Sequence, residues 1–143
     1  MKSCVRVAAV LLAVLVVATF SVAQDADQKA ATDVAQQWLA MVDAGHYGQS
    51  WDAAASLFQS KITKPDWESA LDQVRSPLGK VDSRQFKSAD FETTLPGAPE
   101  GKYCVLQFRT KFKTGAMTIE TITPMLDNGQ WKVSGYLIKP ADK

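Results

Sequence analysis

The chain of 143 residues has very few histidines and cysteines, the side chains that build structural zinc sites. It contains one histidine and two cysteines. Structural zinc sites need four such ligands at short spacing, so we expect no metal site. The sequence has no Gly-x-Ser-x-Gly elbow, no glycine-rich phosphate loop and no dinucleotide fingerprint. We therefore predict no bound cofactor and assign no catalytic residue. His46, beside Tyr47 at a predicted helix boundary, is interpreted as a surface histidine.

Clustered positive charge is also missing. The 16 basic residues nearly balance the 15 acidic ones along the whole chain. Nucleic-acid-binding domains usually carry a clear basic excess on one face. The final stretch, Lys132–Lys143, is mildly basic but too sparse to form a polybasic patch. We expect no nucleic-acid partner.

No apolar run reaches the roughly 20 residues that a membrane-spanning helix needs. The longest run, Val7–Phe20, follows Lys2 and Arg6 and precedes Ser21-Val22-Ala23, a small-x-small cleavage pattern. This pattern predicts a signal peptide over residues 1–23 and a single mature domain over residues 24–143. We expect a bacterial periplasmic or secreted protein with no stable membrane span after cleavage. An uncleaved N-terminal anchor is the alternative.

Cleavage after Ala23 would leave Cys104 as the only cysteine, so no internal disulfide could form. Cys104 lies between Tyr103 and Val105 on a predicted strand. We interpret it as a small buried hydrophobic residue, the common role of a cysteine outside disulfides. An intermolecular disulfide or a reactive thiol is the alternative.

Helical periodicity fills the first half of the mature chain. Apolar residues at helical spacing predict helices over Asp25–Ala44, over Gln49–Phe58 and from Thr63 to a stop at Ser76–Gly79. The third helix has a Thr-x-x-Asp capping pattern, and we expect Trp67, Leu71 and Val74 on its buried side. Trp38, Trp51 and Trp67 lie one per helix, so we interpret them as core residues, with an aromatic ligand pocket as the alternative.

Strand patterns fill the second half. We predict one or two extended segments over Val81–Phe91, then strands over Tyr103–Phe112, Ala116–Leu126 and Trp131–Ile138. Asn128-Gly129 joins the last two, because a type I′ hairpin turn needs positive φ at both central residues. The predicted fold class is α+β, with the N-terminal helices packed on one face of a curved antiparallel sheet. A nuclear-transport-factor-2-like cone is the expected form, with a cystatin-like layout as the alternative.

One carboxylate falls on an apolar face of this predicted sheet. A two-residue turn at Asn128-Gly129 places Glu120 opposite Leu137 and on the face of Trp131. A two-residue turn at Thr114-Gly115 places Arg109 opposite Glu120. Burying a carboxylate is costly unless it is paired, so a structural pair with Arg109 is expected, with Arg75 or Arg84 as other partners.

The sharper alternative is a ligand cavity with a polar floor. The candidate ligand-binding residues are then Glu120, Arg109, Trp131 and Arg75. In the same registers a second apolar set gathers on the opposite face of the sheet: Leu106, Phe108, Phe112, Met117, Ile119, Tyr136 and Ile138. That face is interpreted as a homodimer interface, or as an artefact if a bulge shifts the register.

Several short motifs are distinctive in combination. They are Gln37-Trp38-Leu39, Val42-Asp43-Ala44-Gly45-His46-Tyr47, Ser50-Trp51-Asp52-Ala53-Ala54, Trp67, Arg75-Ser76-Pro77-Leu78-Gly79, Ser83-Arg84, Leu95-Pro96-Gly97-Ala98-Pro99, Phe112, Glu120-Thr121 and Gly129-x-Trp131-x-Val133-x-Gly135-Tyr136. The set resembles the bacterial family catalogued as domain of unknown function 4019 and covers nearly all of the mature chain. The resemblance implies a small exported protein and assigns neither an activity nor site residues.

Three functions stay open on the sequence. The favoured one is an exported, non-enzymatic module that binds a small ligand or a protein segment. The second is an isomerase- or hydratase-like enzyme that uses Glu120 in the cone. The third is a structural protein that dimerises through the sheet. No residue identifies a ligand or substrate.

Overall fold

The computed structural model describes the backbone of residues 4–142 and the side chains of residues 21–142. Within these described residues, four helices precede four strands, which is the predicted α+β order. The helices are α1 Cys4–Asp43, α2 Tyr47–Asp52, α3 Ser56–Lys61 and α4 Lys64–Arg75. The strands are β1 Val81–Glu92, β2 Tyr103–Phe112, β3 Met117–Asp127 and β4 Gln130–Pro140. The chain divides into two compact units, Met1–Ala30 and Ala31–Lys143.

The first unit is helical from Cys4 onward, so the predicted helix start at Asp25 is wrong. Neither glycine nor proline occurs before Gly45, and nothing in the sequence interrupts the backbone hydrogen bonds of the helix. The side chains of the predicted signal sequence up to Phe20 lie outside the described residues. The signal peptide and its cleavage after Ala23 therefore remain predictions. Among the described residues, no helix is long and apolar enough to cross a membrane.

The second unit breaks the predicted helix Gln49–Phe58 into α2 and α3. Ala55 is extended, with φ −64° and ψ 154°, and its N–H donates to the carbonyl of Val133 on β4 at 2.8 Å. The Asp127 carboxylate accepts from the backbone N–H of Ser56 at 2.9 Å. These long-range bonds outweigh the local helical preference of the three consecutive alanines, and they tie α3 to the sheet.

Helix α4 begins as predicted, with the Thr63 hydroxyl accepting from the backbone N–H of Asp66. Trp67 and Leu71 are buried, but Val74 is exposed, contrary to expectation. The inward position one turn after Leu71 belongs to Arg75, which is only 4% exposed. A cation takes the place predicted for an apolar side chain because the carboxylates of Asp43 and Glu120 face it, as described below.

The strands pair antiparallel in chain order, β1-β2-β3-β4. At the last hairpin, Asn128 and Gly129 both have positive φ, and Leu126 faces Trp131 as predicted. A bulge between Thr123 and Pro124 then shifts the register, so that Glu120 faces Ile138 rather than Leu137. Pro124 has no N–H to donate across the ladder, and a bulge is where a sheet tolerates this.

The β2–β3 connection also differs from the predicted two-residue turn. Its loop has three residues, closed by the Phe112 N–H donating to the carbonyl of Ala116 at 2.9 Å, with Gly115 at φ 90°. Phe108 therefore faces Glu120, and Arg109 faces Ile119 on the other side of the sheet. The predicted Glu120–Arg109 pair is wrong, because Arg109 is exposed on the opposite face.

The predicted second apolar face is largely a consequence of these two register errors. Its three β2 members, Leu106, Phe108 and Phe112, are buried on the same face as Glu120. Tyr136 and Ile138 pair with Ile122 and Glu120 and share that face too. Met117 and Ile119 do lie on the other face.

The core lies between the helices and this inner face of the sheet. Trp38 and Trp67 are buried in it, with ring centroids 5.8 Å apart, and Trp51 packs against it partly buried. Ser50 accepts hydrogen bonds from two indole N–H groups. Its carbonyl accepts from Trp38 and its hydroxyl oxygen accepts from Trp67. The interpretation as core residues is confirmed for Trp38 and Trp67, whereas Trp51 lies at the margin of the core.

Candidate functional site

Glu120 is fully buried in the middle of β3, with no exposed surface. Its carboxylate accepts a hydrogen bond from the Tyr136 hydroxyl at 2.6 Å and a short one from the Thr110 hydroxyl. Arg84 donates through Nε at 3.0 Å and lies 2.9 Å away through a terminal nitrogen. Arg75 adds a longer contact at 3.4 Å. Four side chains therefore surround this carboxylate.

A second carboxylate, Asp43, joins the same two arginines. It accepts from Arg75 at 2.6 Å and from the two terminal nitrogens of Arg84 at 2.7 and 3.0 Å. Each arginine thus bridges both carboxylates, and the four formal charges cancel. We call Asp43, Arg75, Arg84 and Glu120 the arginine–carboxylate cluster. It opens to solvent only on one side, where Asp43 is 26% and Arg84 16% exposed.

The cluster joins elements that are distant in sequence. Asp43 is the last residue of α1 and Arg75 the last of α4, while Arg84 and Glu120 lie on β1 and β3. A cation at a helix C-terminus is favourable, but an anion there opposes the helix dipole. Asp43 is therefore held by its two arginines against the local field of its own helix.

Tyr136 connects the cluster to the aromatic core. Its ring lies 5.4 Å from Trp38 and 6.2 Å from Trp67 between centroids. Its hydroxyl donates to Glu120 and accepts from Arg75 at 3.3 Å. The Arg75 guanidinium also lies 5.1 Å from the centre of the Phe112 ring, a cation–π distance. The charged groups are thus closely packed by aromatic side chains.

The ionisation of the cluster follows from burial and charge. Burial raises the pKa of Tyr136 far above its usual value, and the nearby Glu120 charge raises it further. Burial opposes the charge of Asp43, but the hydrogen bonds and charges of Arg84 and Arg75 outweigh it and lower the pKa of Asp43. Burial likewise opposes the charge of Arg84, yet the two carboxylates raise its pKa. Tyr136 stays protonated and both arginines stay charged at neutral pH.

This geometry favours pairing over proton transfer. A general base must reach the proton of a bound substrate directly or through one water. The Glu120 oxygens are instead occupied by four donors and have no exposed surface. The cluster is chemically suited to holding α1, α4, β1 and β3 in one fixed arrangement.

Of the four residues predicted to bind a ligand, the structure brings together Glu120 and Arg75. Arg109 lies on the other face of the sheet. Trp131 lies at the hairpin end of the inner face, 6.3 Å from the Phe91 ring and 5.8 Å from the Lys102 ammonium. It is therefore packed among β1 and loop residues, apart from the arginine–carboxylate cluster.

Sequence reasoning missed three members of this region: Asp43, Thr110 and Tyr136. One sequence signal points to Asp43: a carboxylate at the C-terminus of a long helix opposes the helix dipole and needs a positively charged partner from another element. Tyr136 lies on the face of Glu120 because of the bulge between Thr123 and Pro124, which the predicted register lacks. Thr110 carries no signal in the sequence beyond its alternation with apolar neighbours on β2.

Two of the concave surfaces formed by the described residues lie outside the cluster. A wide groove of about 590 Å³ runs between α2 and α4, with Asp52, Glu68, Asp72 and His46 along it. His46 is exposed there, as predicted. A narrower cleft of about 360 Å³ lies where α3, the loop after β1 and the bulged end of β4 meet. Among the described residues, no group of three or more His, Cys, Asp or Glu is placed to hold a metal.

The sequence matches a known protein family. A family model described as "Protein of unknown function (DUF4019)" matches residues 34–136, which include every residue of the arginine–carboxylate cluster. No curated protein matches the chain.

Proposed function

This chain belongs to the DUF4019 family of proteins of unknown function, and we propose that it acts as an exported, non-enzymatic binding module. In this proposal the arginine–carboxylate cluster makes the scaffold rigid, and recognition takes place on its surface. The ligand is a small molecule held by a preformed cleft rather than a substrate that is turned over.

The observation that carries the proposal is the enclosure of Glu120. It is the one carboxylate that the sequence offered for acid–base catalysis in the cone, and it is saturated by donors without exposed surface. Breaking this arrangement to free a catalytic base would leave two arginines with a single carboxylate in a buried site, which is expensive. The enzyme alternative therefore has no accessible candidate base in the cluster.

A rigid scaffold suits a binding role. The cluster and the core fix the helices to the sheet, so little conformational entropy is lost when a ligand enters a preformed site. Loops held on such scaffolds are where binding residues are usually found. Helix α3 is anchored to the sheet by the bond from Ala55 to Val133, and the loop after β1 by the bond from the Tyr103 hydroxyl to the Pro99 carbonyl.

Export is the second part of the proposal. It is supported by the positive start, the apolar run and the Ser21-Val22-Ala23 pattern in the sequence.

Native mass spectrometry of the protein purified from its producing cells tests the proposal. We expect one small molecule retained per chain, released on denaturation. A chain without any retained molecule that runs as a dimer would support the structural alternative instead. Turnover of a released molecule on return to native protein would support the enzyme alternative.

A further inference from the structure

The cleft beside β4 has two walls that are each fixed to the sheet. One wall is α3, held by the bond from Ala55 to Val133 and by the Asp127 carboxylate, which also accepts from the Ser56 hydroxyl at 2.8 Å. This wall contributes Leu57 and Lys61 to the cleft. Because its anchors are hydrogen bonds to β4 and the β3–β4 hairpin, the wall is present before any ligand arrives.

The other wall is the loop after β1. Pro96 and Gly97 occupy the centre of a turn closed by the Ala98 N–H donating to the carbonyl of Leu95 at 3.1 Å. Gly97 has φ 75°, the positive value that the third position of a type II turn requires. The buried Tyr103 hydroxyl donates to the carbonyl of Pro99 at 2.6 Å and fixes the turn against β2.

The charge of the lining is one-sided. Lys61 is the one charged residue among those that line the cleft, and no described carboxylate lies within salt-bridge distance of it. The floor carries the hydroxyls of Thr123 and Ser134, of which Ser134 donates to the Thr123 carbonyl at 2.7 Å. Leu57, Leu95 and Pro96 supply apolar surface. A volume of about 360 Å³ lies within the range of small-molecule sites.

We propose that this cleft binds a small organic anion with an apolar tail, such as a medium-chain carboxylate. Lys61 and the Thr123 hydroxyl hold the charged end, and the tail lies against Leu57, Leu95 and Pro96. The inference rests on the proposed binding function and adds the place and the chemical class of the ligand.

Gly135 provides a way to fill the cleft without disturbing the fold. A Cβ at this position would lie 3.7 Å from the Thr123 Cβ and 3.8 Å from its hydroxyl, which are ordinary contact distances. Gly135 and Thr123 both line the cleft, so Gly135→Ala takes space from the ligand. The backbone there needs no positive φ, and the variant is expected to fold normally.

The test is an NMR titration of the full purified protein with octanoate, with 1-octanol as the uncharged probe and acetate as the tail-free probe. We expect octanoate to shift the amide signals of Lys61, Leu95 and Gly135, and acetate to bind much more weakly. Lys61→Gln should weaken octanoate binding about fivefold, the scale of one exposed charge pair, while octanol binding stays unchanged. Gly135→Ala should weaken both. Lys87→Gln, which removes an exposed charge from β1, is the matched control and should change neither.

The outcomes separate the two proposals. If octanoate shifts only signals elsewhere, or acetate binds as well as octanoate, the cleft proposal is wrong. If octanoate fails to bind while the purified protein retains another molecule, the cleft proposal fails and the binding function stands. If octanoate fails to bind and nothing is retained, both fail.

Discussion

Removing the Glu120 side chain tests the structural role of the arginine–carboxylate cluster. Glu120→Ala leaves Arg75 and Arg84 with Asp43 as their only carboxylate in the cluster, so one of the two positive charges has no counter-charge. Taking one partner from a buried pair typically costs about 3–5 kcal/mol. Glu120 itself is fully buried, but Arg84 is 16% and Asp43 26% exposed, and water partly compensates the orphaned charge there. We therefore expect the free energy of unfolding to fall by about 3 kcal/mol.

The assay is urea unfolding followed by tryptophan fluorescence, with the slope of the transition checked for each variant. Adding Arg84→Ala to Glu120→Ala should cost much less than the sum of the two single changes, because the second change removes the orphaned charge. Arg109→Ala, on the opposite face, is the control and should leave stability nearly unchanged. The reasoning is refuted if Glu120→Ala is nearly silent, or if the double variant loses the full sum.

Four further predictions concern single residues. The Tyr136 phenol should not ionise in the folded protein at pH 11, because burial and Glu120 raise its pKa; its absorbance change in an alkaline titration should appear only on unfolding. Asp43→Asn should lower the free energy of unfolding at neutral pH. The difference from wild type should shrink as the pH falls below the unfolded pKa of about 3.8 and vanish below the lowered folded pKa, because the stabilising charge of Asp43 is lost there. Cys104, with no exposed surface, should react slowly with a thiol reagent until the protein unfolds, and fast native labelling would contradict its burial. N-terminal analysis of the exported protein should find cleavage between Ala23 and Gln24; an intact Met1 end would contradict the predicted signal peptide.

Local signals in the sequence were sufficient for the element order. The Thr63 cap, the Asn128-Gly129 turn and the alternation of β2 each act within a few residues, and each is confirmed in the structure. The division of the second helix was not predictable in this way. It depends on Ala55 reaching Val133, a residue far along the chain, and tertiary hydrogen bonds override helix propensity at such positions. The assignment to a cone-shaped fold stays a prediction.

The partners of Glu120 were harder to predict, because an error of one residue in strand register changes every pairing beyond it. A single bulge on β4 moves Tyr136 to the face of Glu120, and one extra residue in the β2–β3 loop moves Arg109 away from it. Side chains alternate with period two, so a shift of one residue reverses every face beyond it. The burial and pairing of Glu120 were predicted correctly, but its main partner was not.

Five of the motifs that carry the family resemblance supply the residues of the cluster and its neighbour Tyr136. Val42-Asp43, Arg75-Ser76-Pro77, Ser83-Arg84, Glu120-Thr121 and Gly135-Tyr136 each contribute one of its groups or its tyrosine neighbour. The Leu95–Pro99 motif lies outside the cluster and forms a wall of the β4 cleft instead. Different motifs of the family therefore mark the rigid centre and the proposed binding surface.

Native mass spectrometry of the wild-type protein and two variants side by side tests the central claim most directly. The claim is that the arginine–carboxylate cluster is structural and that the ligand binds in the cleft beside β4. Wild-type protein and folded Glu120→Gln should both retain one small molecule per chain, whereas Gly135→Ala should lose it. Retention by Gly135→Ala together with loss from Glu120→Gln would contradict the claim and would place the ligand at the cluster.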